Sequence, residues 1–220
     1  MNYLIELVIL HDIVVNDEYA LIKDYIPTPG SNIIDCGSHI GFYSVWASQN
    51  MEKEGKIIAI EPLSYNYKRL LFVVKMLGLT GVVIPVNVAL LDRESFAKIL
   101  RPWATVSSTL LESPLSASGQ NWWSENVSCT TLDNLCRTLN LNKSRISLIK
   151  IDIEGAEGLV LKGAKETLKQ TEKVIIEVHV NSVPVEDIVK TLHDIGFVVE
   201  GIFRIGRWQN VLVYARNKRM

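Results

Sequence analysis

This chain has no cysteine pair, no long apolar run and no excess of one charge, and each absence removes a class of protein. Its three cysteines, Cys36, Cys129 and Cys136, are widely spaced and form no C-x-x-C. That argues against a disulfide framework and against a zinc site, and points to the reducing cytosol. The opening YLIELVIL is apolar but carries Glu6 and lacks a basic leader. It falls far short of the roughly 20 residues that span a bilayer, so no membrane span is expected and the stretch reads as an element of the fold. With 23 basic and 24 acidic side chains the formal net charge is -1. No broad cationic field exists to hold a nucleic-acid backbone, so the expected partner is a small molecule and not a nucleic acid.

The 220 residues are 48% hydrophobic, enough to bury one large core, which suits one domain over residues 1–220 with 1–30 as an N-terminal extension. Apolar runs of strand length alternate with stretches of helical period, the pattern of an α/β protein with a parallel sheet and helices on both faces. Candidate strands are Asn32–Asp35, Lys56–Glu61, Val82–Val88, Arg145–Asp152, Lys173–Val180, Phe197–Phe203 and Gln209–Tyr214. Helices are expected from Gly41 toward Asn50, from about Tyr65 to Leu77 before Gly78, from Ala156 to about Gln170, and from Val185 to Ile195 between Pro184 and Gly196. One region breaks the alternation. Arg101 to Asn126 is rich in Ser, Trp and Pro with little period of either kind, so it is expected to be a long loop bordering an acceptor site. Its Trp122-Trp123 pair suits stacking on an acceptor or packing of the loop itself.

The stretch IIDCGSHIG, residues 33–41, ends an apolar run on Asp35 and turns through Gly37 and Gly41. A strand, a glycine turn, a helix and an acid one strand later, Glu61, are the general requirements of a dinucleotide site. The spacing G-x-x-x-G is not G-x-G-x-x-G, however, and Asp35 stands where a pyrophosphate would approach. A ligand with an ammonium there would be attracted instead, with Glu61 accepting hydrogen bonds from a ribose diol. S-adenosylmethionine has that arrangement. Each acid also has a plain structural reading, Asp35 as a turn cap and Glu61 as a strand end; their pairing one strand apart favours the cofactor.

The chain resembles the FkbM-type S-adenosylmethionine-dependent methyltransferases through IIDCGSHIGFYSVWA, IIAIEPLSYNYKRL, VNVALLD, ISLIKIDIEGAEGLVLKGA and VIIEVHV, in that order between about Ile33 and Val180. The resemblance implies a class I methyltransferase, Rossmann-like fold, a seven-stranded mostly parallel sheet whose last strand runs antiparallel. It implies S-adenosylmethionine as cofactor, held by Asp35, Gly37, Ser38, His39 and Gly41 at the methionine end, Glu61 at the ribose, and Asn87, Val88 and Ala89 along the adenine. Asp152, Glu154 and His179 would face the methyl group and its acceptor, Asp152 also touching the cofactor. The family commonly carries Ala-Asn where this chain has Ser38-His39. A hydroxyl on a sugar or secondary metabolite is the acceptor the family implies.

Methyl transfer needs an aligned nucleophile and a base. Glu177 and His179, two apart on one strand, share a side. His179, which titrates near neutrality, is the first candidate base, with Glu154 second; a purely structural histidine is the plain alternative. The surrounding acids are read as cofactor-binding and capping groups, so no metal is expected. A nucleotide-dependent oxidoreductase and a non-catalytic nucleotide-binding module are the competing functions. Asp35 in the glycine loop opposes the first, and the acids with His179 at the strand ends oppose the second.

Overall fold

The apolar runs become neighbouring strands of one sheet. The computed structural model describes residues 3–14, 16–102, 109–110, 122–141, 144–205 and 210–220. In chain order the elements are α1 (Tyr3–Val14), β1 (Ser31–Cys36), α2 (Phe42–Asn50), β2 (Gly55–Ile60), α3 (Ser64–Met76), β3 (Val83–Val86), β4 (Ala89–Leu90), β5 (Ser95–Pro102), β6 (Thr109–Leu110) and β7 (Trp122–Thr130). They continue with α4 (Leu132–Thr138), β8 (Ile146–Ile151), α5 (Glu157–Lys162), α6 (Lys165–Lys169), β9 (Thr171–Val178), α7 (Val185–Ile195), β10 (Phe197–Ile205) and β11 (Asn210–Asn217).

The large sheet has seven strands in the order β10-β11-β9-β8-β1-β2-β3. β9, β8, β1, β2 and β3 pair in parallel, and β11 runs antiparallel to both neighbours. The expected architecture is therefore present. Strand alternation divides the core between the two faces. Ile33, Ile57, Leu148, Ile175 and Tyr214 meet α2 and α3 through Tyr43, Trp46, Leu70 and Val74. Ile34, Ile58, Ile149, Ile176 and Val213 meet Leu135, Val160, Leu168, Ile188 and Leu192, from α4 to α7.

Two expectations need correction. The stretch expected as one helix from Ala156 to Gln170 is two, α5 and α6. A Cβ on Gly163 would lie 2.3 Å from the Leu91 carbonyl oxygen, and Asp133 starts α6 by accepting from the N–H groups of Glu166 (3.1 Å) and Thr167 (2.7 Å) and from the Thr167 hydroxyl (2.7 Å). That cap lies far away in sequence, so helical period could not disclose the break. The expected loop from Arg101 to Asn126 is strand at both ends. β5 and β7 pair antiparallel from Ser95↔Cys129 to Pro102↔Trp122, within a second sheet of order β4-β7-β5-β6. Ladder hydrogen bonds supply what its weak apolar pattern does not. Residues 103–108 and 111–121 of that expectation lie outside the described residues.

Asp133→Ala should remove the α6 cap and cost about 1–2 kcal/mol of stability. Asp133→Asn, which keeps one acceptor oxygen, should lose less. Urea unfolding of the two variants side by side measures this; equal stability of Asp133→Ala and the parent would show that the cap carries no weight.

Candidate active site

β1, β8 and β9 lie side by side, and their carboxyl ends bring Asp35, Lys150, Asp152, Glu177 and His179 together, in the position where open parallel sheets bind ligands. Lys150 is the centre of the group. Its side chain is 3% exposed; the ammonium lies 3.3 Å from Asp35 Oδ1 and 3.2 Å from Asp152 Oδ2, and donates to the Gly37 carbonyl at 3.0 Å. Burial would lower its pKa, but the charges of Asp35, Asp152 and Glu177 raise it well above the usual lysine range. Asp152 is held below the ordinary carboxylate value despite burial, chiefly by Lys150 and His179.

Asp35 is engaged by groups of the protein itself. It is fully buried, accepts from Ser44 Oγ at 2.7 Å and is paired with Lys150. Its charge is spent inside the protein and holds the glycine loop through Lys150. Gly37 is required for packing as well: at φ +82° its Cβ would fall 1.8 Å from the Asp152 carbonyl oxygen. The N–H groups of Gly37 and Ser38 both donate to the Ile60 carbonyl, and that of Gly41 to Ser38. The His39 N–H donates to Glu61 Oε2 at 3.0 Å. The amides of Gly37, Ser38, His39 and Gly41 are thus engaged within the protein and not free to cradle a pyrophosphate.

Glu61 closes the β2 end. Burial pushes its pKa up to about 7, against the hydrogen bonds from the Leu63 N–H, the Asn66 amide and the His39 N–H. A cleft of about 140 Å³ runs past Gly37, His39, Glu61, Val88 and Ala89 to Asp152 and Glu154. Asn87 does not line it; its amide ties the carbonyls of Glu61 (2.8 Å) and Pro62 (2.9 Å). Ser38 lines an adjoining cleft of about 410 Å³ with Asp12, Glu18, Lys150, Glu177 and His179. Ile9 belongs to both, so the N-terminal helix walls the site.

His179 is held at both nitrogens. Nδ1 lies 2.7 Å from Oε1 of the fully buried Glu157, which also accepts from the Gly155 N–H at 2.9 Å. Nε2 lies 3.2 Å from Glu154 Oε2 and 4.0 Å from oxygens of Asp152 and Glu177. Burial would lower the histidine pKa, yet the hydrogen bonds to Glu154 and Glu157 and the nearby charges push it up to about 11. That shift favours the protonated ring, a donor at both nitrogens, over a lone pair open to an acceptor proton. Among the described residues, ligand atoms of Asp152, Glu177 and His179 lie within 4.8 Å of one another, a spacing a divalent cation can bridge once the imidazolium loses its proton.

Several contributors carried little signal in the sequence. Lys150 was legible in principle, a lysine in an apolar strand two residues before Asp152. Tyr19 was not. It arrives from the N-terminal segment, and its hydroxyl bridges Asp152 Oδ2 (3.2 Å) and Glu177 Oε2 (3.0 Å). Asn210, donating to Glu177 Oε1 at 2.8 Å, comes from the last strand.

The strand order is that of a class I S-adenosylmethionine-dependent methyltransferase. The family of the methyltransferase FkbM domain matches residues 35–199, and the chain belongs to that family, whose methyl donor is S-adenosylmethionine. Among solved structures it is similar to a methyltransferase FkbM from Methylobacillus flagellatus KT, at 17% identity and TM-score 0.61, with 84% of this chain and 43% of that one covered. The chain thus spans less than half of that protein. It is also similar to a putative rRNA methylase from Clostridium thermocellum (7% identity, TM-score 0.58, 93% and 94% covered). A third likeness is to Aeropyrum pernix fibrillarin with natively bound S-adenosyl-L-methionine (14%, 0.56, 89% and 70%). At such identities the likeness is one of fold. No curated protein sequence matches the chain.

Glu177 supplies a test of the electrostatics. Burial, then the charge of Asp152, raises its pKa from 4.5 to about 8. Between those values the folded chain holds a proton that the unfolded chain has released, so this group's contribution to stability falls as pH rises across the window. Glu177→Gln removes that dependence. Its melting temperature relative to the parent should rise between pH 5 and pH 8, about these limits; a pH-independent difference would show that Glu177 ionises normally.

Proposed function

We propose that the protein transfers a methyl group from S-adenosylmethionine to a hydroxyl oxygen of a small molecule, a sugar or secondary metabolite. The hydrogen-bonding character of the wider cleft carries this reading. Asp12, Glu18, Asp152, Glu154 and Glu177 line it, with Lys150 and His179 among the described lining residues. Both cations are already committed to carboxylates, so neither is free to hold a phosphate, while the carboxyl groups offer acceptor oxygens to hydroxyl groups. That separates it from the nucleic-acid acceptors suggested by the rRNA methylase likeness. The engaged amides of the glycine loop weigh against the oxidoreductase reading.

The residues fit the cofactor. Glu61 faces the narrow cleft beside Val88 and Ala89, which suit the ribose and adenine, and the loop Asp35–Gly41 closes the methionine end with Ser38 and His39. Asp152 and Glu154 are carboxylates that both clefts share, and Asp152, ionised beside Lys150, is the better partner for the methionine ammonium. When bound, the cofactor supplies an electrophilic methyl carbon on a sulfonium. Methyl transfer would form an oxygen–methyl bond as the sulfur–methyl bond breaks, so the task of this chain's residues is to align the acceptor oxygen and take its proton. The acceptor proton passes to Glu154, while the His179 imidazolium holds that carboxylate in place. His179 acts through its partner, and the base role moves from the histidine to the second candidate. This chemistry requires no metal. No helix among the described residues is long and apolar enough to cross a membrane, and all three cysteines are free and buried, which supports a cytosolic location.

Radiolabelled methyl transfer to a panel of hydroxylated small molecules and to RNA, run together, tests the acceptor class. Labelling of RNA with none of the small molecules modified would overturn it. Glu154→Gln should lower turnover by roughly a hundredfold to ten-thousandfold, with cofactor affinity little changed. Normal turnover in that variant, combined with loss of activity in His179→Gln, would return the base role to the histidine.

A further inference from the structure

Asn66 stands in the first turns of α3 and is 2% exposed. It lines the narrow cleft beside Glu61. Its amide nitrogen donates to Glu61 Oε1 at 3.3 Å, while its amide oxygen has no hydrogen-bond partner among the described residues. Buried acceptors are normally paired, so an orphan on the wall of a cofactor cleft calls for an explanation. Turning the amide over would not supply one, because it would set the Asn66 oxygen against a carboxylate oxygen.

We infer that Asn66 is a cofactor-binding residue whose amide oxygen accepts one hydroxyl of the ribose while Glu61 accepts the other. The inference rests on the reading of Glu61 as the ribose acceptor. Counting lone pairs shows why one carboxylate is insufficient. Oε1 already accepts from the Leu63 N–H (3.0 Å) and the Asn66 amide, and Oε2 accepts from the His39 N–H. Each carboxylate oxygen takes about two such bonds, which leaves Glu61 room for roughly one more. A ribose diol presents two donors. The Asn66 oxygen, on the residue already bonded to Glu61, is the available second acceptor. The pair therefore reads the diol as a unit, and Asn66 determines specificity for an intact ribose.

The test is equilibrium binding of S-adenosylhomocysteine and its 2′-deoxy and 3′-deoxy analogues to the parent, Asn66→Leu, Asn66→Ser and Glu61→Gln. Asn66→Leu should bind the intact compound about tenfold more weakly. Against the one deoxy analogue that lacks the hydroxyl Asn66 reads, it should bind as the parent does. Asn66→Ser keeps a donor for Glu61 without the reach of the amide oxygen and should show the same selective loss, which covers a Leu variant that fails to fold. Equal weakening toward all three compounds would make Asn66 structural only and overturn the inference, as would unchanged affinity for the intact compound. If Glu61→Gln loses no discrimination between intact and deoxy compounds, the ribose reading of Glu61 fails by itself, whatever Asn66 does.

Discussion

The carboxyl edge of the sheet is organised by one buried ammonium. Lys150 joins the end of β1 through Asp35, the glycine loop through the Gly37 carbonyl, and the end of β8 through Asp152. The rings of Tyr19 and Tyr43 lie 5.5 and 5.8 Å from the same nitrogen. An ammonium taken out of water is costly unless paired, and a buried pair deprived of one partner leaves an uncompensated charge worth about 3–5 kcal/mol. Asp35 and Asp152 are thereby bound to one position of Lys150, and the loop between β1 and α2 follows. The close approach of Gly37 to the Asp152 carbonyl needs the same contact. Cofactor loop and candidate catalytic acids are consequently one mechanical unit.

A second consequence is electrostatic. Asp152, Glu154, Glu157 and Glu177 surround His179, and the histidine answers by keeping its proton. Glu177 answers in the opposite way, with a raised pKa. The site balances its acids with Lys150 and an imidazolium, leaving Asp152 ionised where the two clefts meet. A free histidine at this strand position would be a base near neutrality; this one, anchored on Glu157, is shifted toward a donor. The residue type alone therefore does not fix its role, and the neighbouring carboxylates bear on it.

Apolar runs of strand length and helical punctuation made the large sheet and most of its helices legible, because the burial of those elements is written in local pattern. The second sheet was hidden since β5 and β7 are held by a ladder between distant segments. α6 was hidden since its cap, Asp133, comes from α4. For the site, Asp35, Glu61, Asp152, Glu154 and His179 were all visible at strand ends. What they touch was not: Tyr19, Asn66 and Asn210 arrive from three separate parts of the chain.

The sequence by itself determined the class of fold, because apolar runs and helical period are written along single elements, and its resemblance to the FkbM-type methyltransferases indicated the cofactor. Tertiary structure alone decided that Asp35 faces Lys150, that His179 is ringed by carboxylates, and that Asn66 stands buried beside Glu61 with an acceptor to spare. The first two depend on charges a few ångströms away in space but remote along the chain, brought together only when β1, β8 and β9 lie side by side, and the third on the burial of the first turn of α3 against the end of β2.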